Sequence, residues 1–553
     1  SANINWEIAL EPTAPENMFN PNFVKVYLTE LDDAGNETQV IEPKIFMNLY
    51  MDANEYTGKP SGTEDAIPIF TLYSTSTNKS FSKKYRLRMW VDESYNPQED
   101  GDNFEFGTKV NVYGKAGDVM LFTAAQMLHY NGLGANGSFD TTDSEQTFIT
   151  GTNPNNYIWY SGKLWRAVSI DPSDNSVKLV TQWNISSLPY DASGNTAFKG
   201  SYMEQWLNDT SVDGFLGNLR EPEKFIKTDS VWNATATTEK TKPGKTTMVT
   251  DAVGLLNLYE YEMSYKGDAK SAGYLNNGLY WRTLTRYSTL NVISTITENG
   301  GYNNCNALYS MGTRPSVNLK STVKIVDGDG TSSNPYRLQG DNDTPTGVLL
   351  STRYSGEYIS FGTGENNLYR IVSHENGTGT KITSVAPLKD SVIAFGDTAT
   401  YSKDNTIGTF LNKDYLTNGT YLTSDQVNMI EDNTTWYLGT VGNGTNYKLA
   451  KYQNEAENSL TTATATAKVG LLRIGELMAG QFDKWDNNIR YWALTPYDDS
   501  SIRHITADSR SESDNPKVYY SYSSRPSMNL KSNVIITGGK GTKESPFTIK
   551  LGE

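Results

Sequence analysis

Residues 313–338 read TRPSVNLKSTVKIVDGDGTSSNPYRL, and residues 524–549 read SRPSMNLKSNVIITGGKGTKESPFTI. At this offset of 211, 13 of the 26 aligned positions are identical, which rules out chance likeness between two loops. Val317, Leu319, Val323 and Ile325 alternate with polar neighbours, as do Met528, Leu530, Val534 and Ile536. A period of two predicts half-buried strands. The glycines Gly328 and Gly330, matched by Gly539 and Gly541, then turn the chain before a short apolar strand.

The likeness extends upstream of these closings. Leu164 to Val168 matches Leu368 to Val372, Trp206-Leu207-Asn208 matches Phe410-Leu411-Asn412, and Trp232 matches Trp436. The tetrad VGLL at 253–256, with Glu260 four residues on, matches 469–472 with Glu476, and Tyr280-Trp281 matches Tyr491-Trp492. Five landmarks in one order predict a tandem duplication with repeats at 157–340 and 348–553. Each is too large for a solenoid unit, so each is expected to be an α+β domain. Helices are expected around Met203–Asn208 and Ile407–Asn412.

The first part of the chain reads differently. Ile4, Trp6, Ile8 and Leu10 alternate with Asn3, Asn5, Glu7 and Ala9, and more short strands follow to Val112, separated by turns such as DDAGNE. This spacing predicts an antiparallel β-sandwich over 1–116. Residues 117–156 form a connector, with helical spacing through Met120, Leu121, Ala124, Met127 and Leu128 that stops at Gly132. The whole is expected to be β-rich and multidomain, as a length of 553 residues implies.

Composition narrows the function classes. The net charge of −15 and pI of about 4.9 come without any Lys/Arg run, so nucleic acid and anionic membrane surfaces are not expected partners. No stretch is apolar for long enough to span a bilayer. Cys305 is the only cysteine, which excludes a disulfide framework. The first residue is serine, as expected of a chain that has lost a leader or been cut from a longer protein.

The phrases NYIWYSGKLWRAVSI (156–170), VGLL with its glutamate, the Tyr-Trp pair and RPSxNLKSxVxI with its glycines resemble a domain of uncharacterised function. That domain occurs in surface and pilin-like proteins of Firmicutes and related gut bacteria. The match covers roughly 150–553; the family has no established catalytic residues, so none are carried over. The Arg-Pro closing is also similar to the end of C-type-lectin-like and formylglycine-generating-enzyme-like domains. Residues 1–116, with YRLRMWVDE, are similar to the camelysin-like β domains of Gram-positive surface and biofilm filament proteins. These resemblances imply an extracellular location on a bacterial cell surface.

Candidate chemistry is sparse. His129, His374 and His504 stand apart, and no G-x-S-x-G elbow frames a serine. Asp327 and Asp329 resemble the start of a calcium loop, but their counterparts are Gly538 and Lys540, which argues against an ion there. Glu260 and Glu476, with Arg314 and Arg525, are expected to be structural anchors, as a buried Glu–Arg pair. Trp165, Trp281 and Trp492, with Tyr280 and Tyr491, read as core rather than sugar platforms. No cofactor, metal or catalytic residue is expected.

Between Trp281 and Arg314, and between Trp492 and Arg525, lie equal intervals with divergent side chains. Such segments, 283–312 and 494–523, suit a recognition surface for a glycan or protein. The terminal strand Ile4, Trp6, Ile8 and Leu10 suits exchange between copies, since an amphipathic strand at a free end can complete a neighbour's sheet. Head-to-tail exchange would build a filament. The expected function is therefore a non-enzymatic subunit of a surface filament, with a monomeric adhesin as the alternative.

Overall fold

A computed structural model describes residues 4–13, 18–52, 69–77, 81–96, 104–116, 121–211, 214–267, 270–340, 345–374, 379–388, 391–417, 419–438, 454–455, 458–459, 463–473, 476, 490–505 and 517–553. The chain is β-rich and falls into two compact units, Ser1–Phe139 and Asp140–Glu553. The division lies inside the stretch read as a connector, and both sequence repeats fall in the second unit.

In the first unit, strands β1 (Ile4–Thr13), β2 (Val24–Leu31), β3 (Glu37–Ile45), β4 (Tyr50–Asp52), β5 (Ile69–Thr77), β6 (Lys84–Val91) and β7 (Gly107–Ala116) form two antiparallel sheets. Their orders are β4-β5-β1-β7 and β3-β2-β6. Trp6, Ile8, Leu10, Phe70 and Leu72 of the first sheet share one apolar core with Val24, Val26, Leu28 and Ile41 of the second. Helix α1 (Ala124–Asn131) begins at a capping box of Thr123 and Gln126 and stops at Gly132, whose φ of 72° suits glycine.

The second unit contains two sheets of the same design. In the first repeat the strands run in the order Val253–Gly254, Ser316–Leu319, Val177–Thr181, Lys163–Ile170, Tyr157–Tyr160, Tyr336–Leu338, Ile325–Asp327. In the second, the order is Val469–Gly470, Ser527–Leu530, Thr380–Ser384, Leu368–His374, Tyr358–Ser360. Next to this last strand, Ile359 bridges Phe547 in parallel, as Ile158 pairs with Tyr336 in parallel.

Matching details recur inside each sheet. Asn208 ends the helix Tyr202–Asn208, and its amide pairs with both backbone groups of Val253, at 2.9 and 3.0 Å. Asn412 does the same for Val469 at the same distances, from a segment that is α-helical at Thr406–Thr409 and π-helical at Phe410–Asp414. Trp232 lies flat against Gly254 and Trp436 against Gly470, where only a glycine leaves room for the indole.

Candidate functional site

The recurring glutamates do not meet the arginines. Glu260 sits at the third position of the helix Leu258–Glu262, where one carboxylate oxygen accepts the Asn257 amide at 2.9 Å and the other accepts the Lys178 ammonium. Glu476 repeats this with the Arg473 amide at 2.9 Å and Lys381 at 2.7 Å. Lys178 lies 5.2 Å from the Trp232 ring centre, and Lys381 lies 5.4 Å from that of Trp436. The expected Glu–Arg pair is thus corrected to Glu–Lys.

The arginines are held by neutral acceptors instead. Arg314 donates to the carbonyls of Thr181 at 2.9 Å and Leu275 at 2.6 Å, and lies over Trp281 at 4.7 Å. Arg525 donates to the Ser384 carbonyl at 3.0 Å and the Tyr491 hydroxyl at 2.9 Å. Burial lowers the Arg314 pKa to about 9, which leaves it charged at neutral pH. Both arginines therefore anchor the closing strand through the backbone of the strand beside it.

Above Lys178 and Glu260 opens a polar cleft of about 350 Å³, lined among others by Trp232, Tyr259, Lys227, Lys242 and Lys245. Its cations are matched: Lys227 binds Asp174 at 2.7 Å, Lys242 binds Asp143 at 2.7 Å and Glu145 at 2.9 Å, and Lys245 binds Glu145. The cleft thus has a mixed-charge rim and an aromatic wall. Nearby, Glu204 and Asp251 share Lys199, which lies 2.5 Å from the first and 3.8 Å from the second. Burial and the Glu204 charge raise the Asp251 pKa to about 6.

Trp165, Trp281, Trp492 and Tyr491 are all buried, so none can stack on a sugar ring; Tyr280 is half-buried. The segment 283–312 carries the hairpin strands Trp281–Arg286, Ile293–Ile296 and Tyr302–Cys305 and exposes Leu290 and Tyr309, the latter at 58%. In 494–523, residues 506–516 lie outside the described residues. Its remainder exposes Tyr519 at 66% and Tyr520 at 50%, their ring centres 5.0 Å apart. Tyr309 and Tyr520 stand at the same offset of 211 as the closing strands, with buried Ala307 and Val518 two residues before them. Divergence over the rest of the segments hid this match.

The other candidates hold structural positions. His129 bonds the Asn48 carbonyl at 3.0 Å and stacks on Phe139, and burial lowers its pKa to about 4. His374 bonds Thr380 at 3.0 Å and the Arg353 carbonyl, and His504 stacks on Tyr522. Asp327 is paired with Lys540, the counterpart of Asp329 in the other repeat, and Asp329 accepts the Thr331 amide at 3.0 Å. Among the described residues, no three His, Cys, Asp or Glu side chains gather as a metal site would require, and no helix is long and apolar enough to cross a membrane.

The terminal strand is fully used within its own sheet. β1 pairs antiparallel with β5 on one edge and with β7 on the other, from Ile4 to Leu10 and from Ile4 to Thr13 respectively. Trp6, Ile8 and Leu10 are buried while Ile4 is 45% exposed. Asn5, Glu7 and Ala9 are buried too, so the strand lacks the wet face that its alternation predicts. Glu7 lies opposite Ser74 and Tyr113, whose side chains flank it on both sides. No family model, curated protein or solved structure matches the chain.

Proposed function

We propose that this chain is a non-enzymatic display protein of a bacterial cell surface. Its two repeats engage a glycan or protein ligand through 283–312 and 494–523. The observation that carries this reading is the pair of exposed tyrosines, Tyr309 and Tyr520, at matching positions of segments that otherwise diverge. Tyrosine offers a large, stiff, amphipathic contact, and exposed aromatic side chains beside a rigid sheet suit recognition. The matching Glu–Lys and Arg–carbonyl contacts within the repeats support the scaffold half of the reading. So do the motif resemblances to surface and pilin-like proteins.

Glycan-array binding by the full chain tests it. Loss of binding in the Tyr309→Ser/Tyr520→Ser variant, with melting unchanged, supports the assignment; retained binding refutes it. A second reading, the filament subunit, is favoured by the placement of β1. A strand that fills a groove between two others can be replaced there by the same strand of a neighbour. Filaments in electron micrographs of the purified chain, without array binding, would select that reading.

A further inference from the structure

Lys178 lies directly opposite Asn318 in the antiparallel pairing of Val177–Thr181 with Ser316–Leu319, and Lys381 lies directly opposite Asn529 in the second repeat. Directly opposed residues project from the same face with Cβ atoms about 4.5–5.5 Å apart, well within the reach of a lysine stem. Each lysine is already hydrogen-bonded to a glutamate. Lys178, Glu260 and Asn318 all line the one cleft. We propose that each repeat closes an intramolecular amide bond, Lys178 Nζ to Asn318 Cγ and Lys381 Nζ to Asn529 Cγ, with Glu260 and Glu476 as the proton carriers.

The surroundings fit that chemistry. In the second repeat the Lys381 and Glu476 side chains are 5% and 3% exposed, and Asn529 is 2% exposed. The Lys381 ammonium already donates to the Glu476 carboxylate at 2.7 Å, so the proton that must leave the lysine lies on a direct path to its acceptor. The neutral amine then has a lone pair to attack the Asn carboxamide carbon. A tetrahedral centre forms and collapses: the Nζ–Cγ bond is made and the Cγ–Nδ2 bond breaks. The lysine nitrogen gives up two protons, relayed through the glutamate to Nδ2, so ammonium leaves and the carboxylate is restored. No oxidant or cofactor is needed.

Recurrence separates this from a chance arrangement. Lys, Glu and Asn reappear together with the same Trp beside the lysine, although three different sequence offsets, 203, 216 and 211, bring them there. Asn257, which also lies near Glu260, has Arg473 as its counterpart and offers no second carboxamide. The bonds would tie the third or so strand of each sheet to its closing strand, sealing loops of about 140–150 residues and removing freedom from the unfolded chain.

Intact-mass spectrometry of the denatured full chain decides the matter without a variant. The expected mass is below that of the sequence by about 17 Da per bond, about 34 Da for both. Tryptic digestion should yield branched peptides joining Lys178 to Asn318 and Lys381 to Asn529, with no cleavage after either lysine. In Glu260→Gln and Glu476→Gln chains the deficit should vanish at the altered repeat only. A full sequence mass, with linear peptides cleaved after both lysines, overturns the proposal. A mapped branch in one repeat alone supports it there and overturns it for the other.

Discussion

Gly254→Ala puts the packing account to a test in which two effects of opposite sign compete. Gly254 is not in the left-handed region, so alanine can adopt its backbone. On that ground alone the change would stabilise by about 0.4–1 kcal/mol, through lost freedom of the unfolded chain. The new methyl, however, would lie 2.3 Å from Cδ2 of Trp232. Neither wall can easily retreat. The indole Nε1 is tied to the Asp251 carbonyl at 2.9 Å, and Val253 is tied by both backbone groups to Asn208. Overpacking of this kind costs about 1–3 kcal/mol, so a net loss of about 1–2 kcal/mol is expected. At an unfolding entropy near 2 cal/mol/K per residue, melting falls by about 1–2 °C if the roughly 400-residue unit unfolds as a whole, and by about 3–5 °C if 157–340 melts alone. Urea titration gives the free energy and calorimetry the temperature. Gly470→Ala, with its methyl 2.6 Å from Trp436, should behave alike. An unchanged or raised urea midpoint in both variants would refute the packing argument.

Arg314→Lys is expected to cost about 1.5–3 kcal/mol, since an ammonium cannot span the Thr181 and Leu275 carbonyls at once; a urea midpoint within error of the parent would count against the anchoring role. Asp251 has its pKa raised to about 6, so the folded chain holds a proton that the unfolded chain, near 3.8, releases. Stability is then full below about pH 4 and lost as pH rises through 6, and Asp251→Asn should flatten that decline and raise melting at pH 7–8. If the variant melts lower than the parent at pH 8, the carboxylate pair with Glu204 is not destabilising. A chain lacking residues 1–13 leaves β5 and β7 without the strand between them, and a synthetic peptide of residues 4–13 should restore cooperative melting of the first unit in a dose-dependent way. No rescue at excess peptide would show that β1 cannot enter the groove in trans.

The parts of the fold that were legible are those whose information is local. Period-two alternation marked the closing strands Ser316–Leu319 and Ser527–Leu530, and Gly132 marked the end of α1. Alternation also placed β1, but it misjudged the polar positions of β1 and of Ser527–Leu530, which are buried, because it reports only what a strand's own side chains prefer. Asn5 and Glu7 are buried in a strand paired on both edges, with β5 and β7 more than sixty positions away, which no local window contains.

The charged cluster shows the same limit more sharply. Glu260 and Glu476 were visible as matched acids, and Arg314 and Arg525 as matched cations, so pairing them was the simplest inference from sequence. The lysines carried a weaker signal, Lys178 between Val177 and Leu179 and Lys381 between Thr380 and Ile382, and their partners lie in segments 82 and 95 residues away. Only the register of the sheet, which places Lys178 against Asn318 and Lys381 against Asn529, distinguishes them from solvated strand residues. Two sheets of the same strand order help here in a specific way. Any side chain whose partners shift in sequence while their spatial arrangement persists is held by geometry rather than by local pattern. By that criterion the lysine, glutamate and asparagine set is the best-defined polar cluster among the described residues.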